Sequence, residues 1–148
     1  MNGWIILDKA NGLFSRSASS RVARMFGEKK SGHIGTLDPM ATGVLPIAIG
    51  NATKMIPFIE DLSDGNKEYL FSVQFGFETD TLDITGKVIE QGGGIPLEQD
   101  IIQILPEFIG DVLQTPPQYS SVHVNGMRAY DIARRGNIAD IKPRHITI

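Results

Sequence analysis

The stretch Ser31–Lys54, SGHIGTLDPMATGVLPIAIGNATK, constrains this chain more than any other. It holds Gly32, Gly35, Gly43 and Gly50 together with Pro39 and Pro46. In a helix interior a glycine costs about 1 kcal/mol relative to alanine and a proline about 3 kcal/mol, so a long helix is excluded here. The glycines point instead to close backbone approach or to positive φ. The spacing predicts a loop, then a glycine-bounded strand over 43–50 with Pro46 at an edge or bulge. A helix over about 52–62, disturbed by Pro57, follows.

Around this stretch the pattern is that of a small mixed domain. Gly3-Trp4-Ile5-Ile6-Leu7-Asp8 reads as a buried strand, broken by Asn11-Gly12. Ser17 is a candidate cap for a helix over about 18–27, with Val22, Met25 and Phe26 on one face, Arg21 and Arg24 on another, and Gly27 as its stop. KEYLFSVQF (67–75) alternates as a strand does, with Tyr69, Phe71, Val73 and Phe75 on one face. A polar loop over 79–83, a strand over 86–90, a triple-glycine link and a short amphipathic helix over 97–105 come next. Asn125-Gly126 is a strong hairpin signal. A helix over 129–135 would end at Gly136, and His145–Ile148 alternates as a strand. A length of 148 residues suits one domain with one core, and neither a repeat nor a linker interrupts it. The expected fold class is α+β.

Composition removes several chemistries. The chain has no cysteine, which excludes disulfides, thiolate zinc sites, iron–sulfur clusters and a cysteine nucleophile. No apolar run approaches the about 20 residues of a membrane span. The first residues lack a basic region followed by an apolar stretch, so no signal peptide is expected and the cytoplasm is the expected location. Histidines 33, 123 and 145 are scattered, so no metal site is expected. Neither a phosphate-binding glycine loop nor a Gly-x-Ser-x-Gly elbow occurs.

The net charge of −3 hides an asymmetry. Residues 1–59 carry +4, residues 60–111 carry −10, and residues 112–148 carry +3. Basic flanks around an acidic middle suit an anion-binding face or an unevenly decorated surface. The best-placed reactive group is Asp38, in the charge-poor loop and followed by Pro39, which biases it toward an extended conformation. Spacing leaves open whether it is catalytic or closes an Asx turn. His33 is open in the same way between an acid/base, a ligand or stacking group, and a hydrogen-bonded structural histidine. Tyr69 is either a core aromatic of its strand or a base-stacking platform.

Four ordered blocks carry a resemblance. GHIGTLDPMATGVLPIAIGNATK (32–54) closely resembles the TruB family of tRNA pseudouridine-55 synthases. GWIILDK (3–9) is similar to that family's first motif, KEYLFSVQFGFETDTLDITGKV (67–88) to the segment after it, and QTPPQYSSVHVNGMRAYDIARRG (114–136) to a later block. Departures lie at motif edges: Ala10 where proline is usual, Phe14-Ser15 where Thr-Ser is usual, and Ser121 where alanine is common.

The resemblance implies a pseudouridine synthase-like mixed, mostly antiparallel sheet flanked by helices. It implies an enzyme that isomerises uridine 55 in the T-loop of tRNA on a flipped-out base, with no cofactor and no metal. The partners implied are the tRNA T-arm and no membrane, the full-length enzyme being a monomer. Asp38 takes the place of the essential aspartate, as nucleophile or as base at the ribose. Tyr69 takes the place of the tyrosine stacked on the uracil, His33 that of an RNA-contacting histidine, and Asp83 that of an aspartate near the active site. Arg21, Arg24, Lys29, Lys30 and Arg128 become candidates for phosphate contacts. The family's later Gly-Thr-Tyr-Ile-Arg-type block, which supplies an arginine opposite the aspartate, has no counterpart here. Residues 1–148 are therefore expected to be the N-terminal portion of the catalytic domain, with the C-terminal remainder absent, and inactive or nearly so alone. The alternative is a catalytically inactive RNA-binding or remodelling fragment of the same fold.

Overall fold

The computed structural model describes residues 1–62 and 66–148. They divide into two compact units, Met1–Leu70 and Phe71–Ile148. Where the length suggested one core, each unit has a small one of its own.

In the first unit, β1 (Gly3–Lys9), β2 (Ser31–His33) and β3 (Gly43–Ile49) form an antiparallel sheet in the order β1-β3-β2. The register pairs Gly3 with Ile49 through Lys9 with Gly43, and Ser31 with Ile49 through His33 with Ile47. Helix α1 (Ser15–Met25) packs against this sheet and buries Ala18 and Ala23 against Leu45, Ile47 and Ile49. Ile5, Leu7, Val22 and Leu37 close the margin of that core. Only one face of β1 is covered. Trp4 and Ile6 alternate outward, with Ile6 67% exposed, so the strand is half-buried rather than fully buried.

Helix α1 starts two residues before Ser17, its N-cap is Phe14, and no side chain caps it. The Ser15 hydroxyl is engaged elsewhere. Val22 packs on the core, whereas Met25 and Phe26 are exposed, because the small residues Ala18, Ser19 and Ala23 let the helix lie close to the sheet. Gly27 ends it with φ of +70°.

Pro46 lies in the central strand, not at an edge. A residue's N and carbonyl O point to the same side of a strand. The Pro46 carbonyl accepts from Ile34 N at 3.0 Å, so its nitrogen faces the side where β2 has already ended at His33. The missing N–H therefore breaks no bond to β1. A 3₁₀ segment (Gly50–Met55) and α2 (Ile56–Leu62) follow, with Pro57 in the first turn of α2, where proline is tolerated.

The expected strand over 67–75 is absent. These residues join no ladder, and Leu70 and Phe71 are exposed. The alternation is suitable, but a strand needs a partner, and the described residues provide none.

The second unit is built from short antiparallel pairs. β4 (Phe77–Thr79) pairs with β5 (Val88–Gln91). α3 (Glu98–Ile104) starts where Asp100 Oδ2 accepts the Leu97 N–H at 3.1 Å. β6 (Asp111–Gln114) pairs with β9 (Arg144–Thr147). β7 (His123–Val124) and β8 (Met127–Arg128) form the expected hairpin, with Asn125 and Gly126 at φ of +51° and +82°. α4 (Ala129–Arg134) ends at Gly136, φ +77°. Gln118 ties this unit's core, donating to the Ala139 carbonyl at 3.0 Å and accepting its N–H at 2.7 Å. Among the described residues no helix is long and apolar enough to cross a membrane.

With so few fully buried side chains, the first unit depends on each. Ile47→Ala is expected to destabilise it by about 2–5 kcal/mol, read as a lower midpoint in urea unfolding.

Candidate functional site

Asp38 sits between two neighbours that are both pinned. Before it, Leu37 exchanges two hydrogen bonds with the buried Ser15 hydroxyl, which donates to the Leu37 carbonyl at 2.9 Å and accepts its N–H at 3.0 Å. After it, the Pro39 carbonyl accepts from Gly12 N at 2.7 Å and from Lys9 Nζ at 3.4 Å. Gly12 reaches that carbonyl from a φ of +85°, a conformation that favours glycine.

Lys9 is fully buried. Its ammonium donates to the carbonyls of Ala10 at 3.1 Å and Leu13 at 2.8 Å as well as to Pro39, three acceptors for three donors. Sequence reasoning did not single out Lys9, although its position offered a signal. Gly3, Ile5, Leu7 and Lys9 share the inward parity of β1, so a lysine there must find acceptors indoors. Ser15 offered none beyond its place at a motif edge.

Asp38 uses its backbone carbonyl to close a turn, accepting from Ala41 N at 3.0 Å with Pro39 at the second position. Its carboxylate is exposed and accepts no hydrogen bond from any described residue. The side chain does not close an Asx turn.

The loop opens on a groove of about 1190 Å³ within the first unit. Asp38 and Tyr69 both line it, together with Glu60, Lys67 and Glu68. Tyr69 is 64% exposed, so it is a wall of the groove rather than a core aromatic. The structure thus brings Asp38 and Tyr69 to one cavity. His33 is outside this lining. It ends β2, and its Nδ1–H donates to the Gly35 carbonyl at 2.6 Å, which leaves Nε2 as the acceptor of the ring.

Asp83 belongs to the second unit, in a loop it holds together. Oδ1 accepts from Thr81 Oγ1 at 2.8 Å, Thr85 N at 2.7 Å and Thr85 Oγ1 at 2.6 Å, and the Asp83 carbonyl accepts from Thr79 Oγ1 at 2.9 Å. Partial burial pushes its pKa up, but the hydrogen bonds from Thr85 and Thr81 outweigh it and hold the carboxyl below its ordinary value of 3.8. Gly86 closes the loop, and a side chain there would run into Thr81 and Asp80.

Of the candidate phosphate contacts, Arg21, Arg24, Lys29 and Lys30 are exposed on the first unit. Arg128 directs its guanidinium to the Ser121 carbonyl. Among the described residues no cluster of three or more His, Cys, Asp or Glu could hold a metal ion.

Comparison with known proteins matches this chain from residue 23 to residue 148 to the family model described as TruB family pseudouridylate synthase, N terminal domain. A tRNA pseudouridine synthase B of Chelativorans sp. (strain BNC1) is 46% identical over the whole chain, which covers 46% of that relative. One from Ehrlichia chaffeensis is 47% identical over the whole chain, which covers 49% of it. The chain spans about half the length of the curated relatives it matches. Among solved structures, a chain in the crystal structure of a Cbf5-Nop10-Gar1 complex superposes with a TM-score of 0.52 at 29% identity, covering 82% of this chain and 31% of that one.

Two outcomes check the site. Ser15→Ala leaves the Leu37 N–H and carbonyl without their partner and is expected to cost about 1–3 kcal/mol, measured by urea unfolding. For Asp83 the folded pKa lies below the unfolded one, so its stabilisation is complete above pH 3.8 and is lost as pH falls through the lower folded value. Asp83→Asn is expected to flatten that acid loss in unfolding midpoints taken between about pH 5 and pH 2.

Proposed function

Since this chain belongs to the TruB family of pseudouridylate synthases, we propose that it is the N-terminal portion of the catalytic domain of an enzyme converting uridine 55 in the tRNA T-loop to pseudouridine. The observation that carries this reading is the Asp38 carboxylate, held on both sides by the backbone and left without an internal hydrogen bond at the wall of the groove. Nothing among the described residues competes with a substrate for its oxygen lone pairs.

The reaction is an isomerisation. The N1–C1′ bond of the uridine breaks, the uracil turns, C5 bonds to C1′, the C5 proton leaves to water, and N1 takes up one proton in its place. No oxidant or reductant is needed. Asp38 serves either as the nucleophile at C1′ or as a base at the ribose. The target base must leave its stack at a cost of a few kcal/mol. Tyr69 offers an exposed ring on the wall of the groove that Asp38 also lines, and that base stacks on it. His33, at the rim of the same loop, supports the RNA through its free Nε2. Asp83 keeps its own loop in shape.

The test uses tRNA tritiated at uracil C5 and counts tritium released to water. The full-length protein, extended through the Gly-Thr-Tyr-Ile-Arg region, is expected to release tritium, and Asp38→Asn to lower the rate by several orders of magnitude. Tyr69→Leu is expected to lose about 1–3 kcal/mol of stacking, and Tyr69→Phe to retain it. Residues 1–148 alone are expected to release little, because the arginine that the resemblance sets opposite Asp38 is outside them. Unchanged release by Asp38→Asn would overturn the reading in favour of another catalytic group.

A further inference from the structure

A second cavity of the first unit lies on α1, at about 380 Å³, lined by Arg16, Ser17, Ser20, Arg24 and Lys29. Among the described residues its lining holds three cations, two hydroxyls and no carboxylate. Arg16, Ser20 and Arg24 recur every four residues and so stand on one face of the helix, away from Ala18, Ser19 and Ala23, which pack inward. Lys29 closes the cavity from beyond Gly27.

Among the described residues the groups in this cavity are little used inside the protein. The neighbouring carboxylate, Glu28, is taken by the amino terminus at Met1. Arg24 and Lys29 have no ion-pair partner among the described residues, and Arg16 makes one 3.5 Å hydrogen bond, to the Ser31 carbonyl. The hydroxyls of Ser15 and Ser19 are satisfied internally, whereas those of Ser17 and Ser20 have no partner among the described residues. Three cations without counter-charges beside two free hydroxyls match the oxygens of a phosphodiester.

The groove beside Asp38 has the opposite character. Among the described residues its wall carries Asp38, Glu60 and Glu68 with Lys67. It offers an RNA backbone fewer cations than the α1 cavity does. The phosphates of a strand feeding that groove need cations elsewhere on the same unit. Helix α1 connects the two places: its first residue, Ser15, clamps Leu37, and Arg24 follows nine residues later, about 13 Å along the axis.

We propose that the α1 cavity formed by Arg16, Ser17, Ser20, Arg24 and Lys29 is a docking site for backbone phosphate of the RNA whose target base enters the groove beside Asp38. The proposal rests on the RNA-directed reading above and adds to it where the backbone is held. The cavity contributes affinity and register without reading sequence.

The experiment measures binding of an unmodified tRNA transcript to the full-length protein by fluorescence anisotropy across a salt series. Removing one phosphate-binding cation lowers the slope of log K against log salt by roughly one. Arg24→Gln is expected to lower it by about one, and the triple variant Arg16→Gln, Arg24→Gln, Lys29→Gln by about two to three. Lys142→Gln, whose ammonium is already paired with Asp140, is the control and is expected to leave the slope unchanged. Glutamine keeps helix propensity close to that of arginine, and far-UV circular dichroism checks that α1 is intact. Salt-dependent binding with equal slopes for wild type and a folded triple variant would overturn the site while leaving the RNA reading standing. Absence of RNA binding by the wild type would overturn both. Inorganic phosphate, titrated against the amide resonances of residues 16–29, separates the other source: shifts there with an unchanged RNA slope would overturn the RNA assignment in favour of free phosphate.

Discussion

A buried ammonium must find an acceptor for each of its three N–H groups, and Lys9 finds them in the carbonyls of Ala10, Leu13 and Pro39. Those acceptors fix the turn after β1 and the far side of the Asp38 loop at once. Ser15 does the same on the near side through Leu37. The Asp38 carboxylate is therefore placed by groups held in the interior of the unit. The loop gains its shape from backbone carbonyls and amides, which leaves the Asp38 side chain unengaged.

The first unit also separates its charges. The groove wall carries Asp38, Glu60 and Glu68 with one cation, Lys67, while α1 carries Arg16 and Arg24 on one face, with Lys29 beyond its end. A nucleic acid is a neutral base on an anionic backbone, and the two surfaces suit those two parts separately. Net charge alone, at −3, gives no sign of this division. It emerges from the order of charges along the chain and from their placement on the helix.

Features set by neighbouring residues were legible in the sequence. The Asn125-Gly126 hairpin, the helix stops at Gly27 and Gly136, and the strand of residues 43–49 follow from local backbone preference. Features set by distant partners were not. Residues 67–75 have the composition of a strand, but pairing is decided by what lies alongside, and no described segment does. Pro46 read as an edge residue because the length of β2 cannot be seen from β3. Asp38 stood out by its loop, while Tyr69 stayed open between core aromatic and stacking platform until the resemblance, since a solvent-facing and a core-facing tyrosine look alike in a periodic run. Asp83 shows the converse: its surrounding threonines already mark a carboxylate that binds its own loop.

The anchors of the Asp38 loop come from positions 9, 12 and 15, while the loop itself lies at 37–39. The two ends meet because β1 and β3 are paired through Lys9 and Gly43. Opening of the loop is thus coupled to fraying of that end of the sheet, and the amides of Gly12 and Leu37 share a protection against solvent exchange that belongs to the paired strands β1 and β3. A substitution that loosens the sheet far from Asp38 would then appear first as a loss of order at the site.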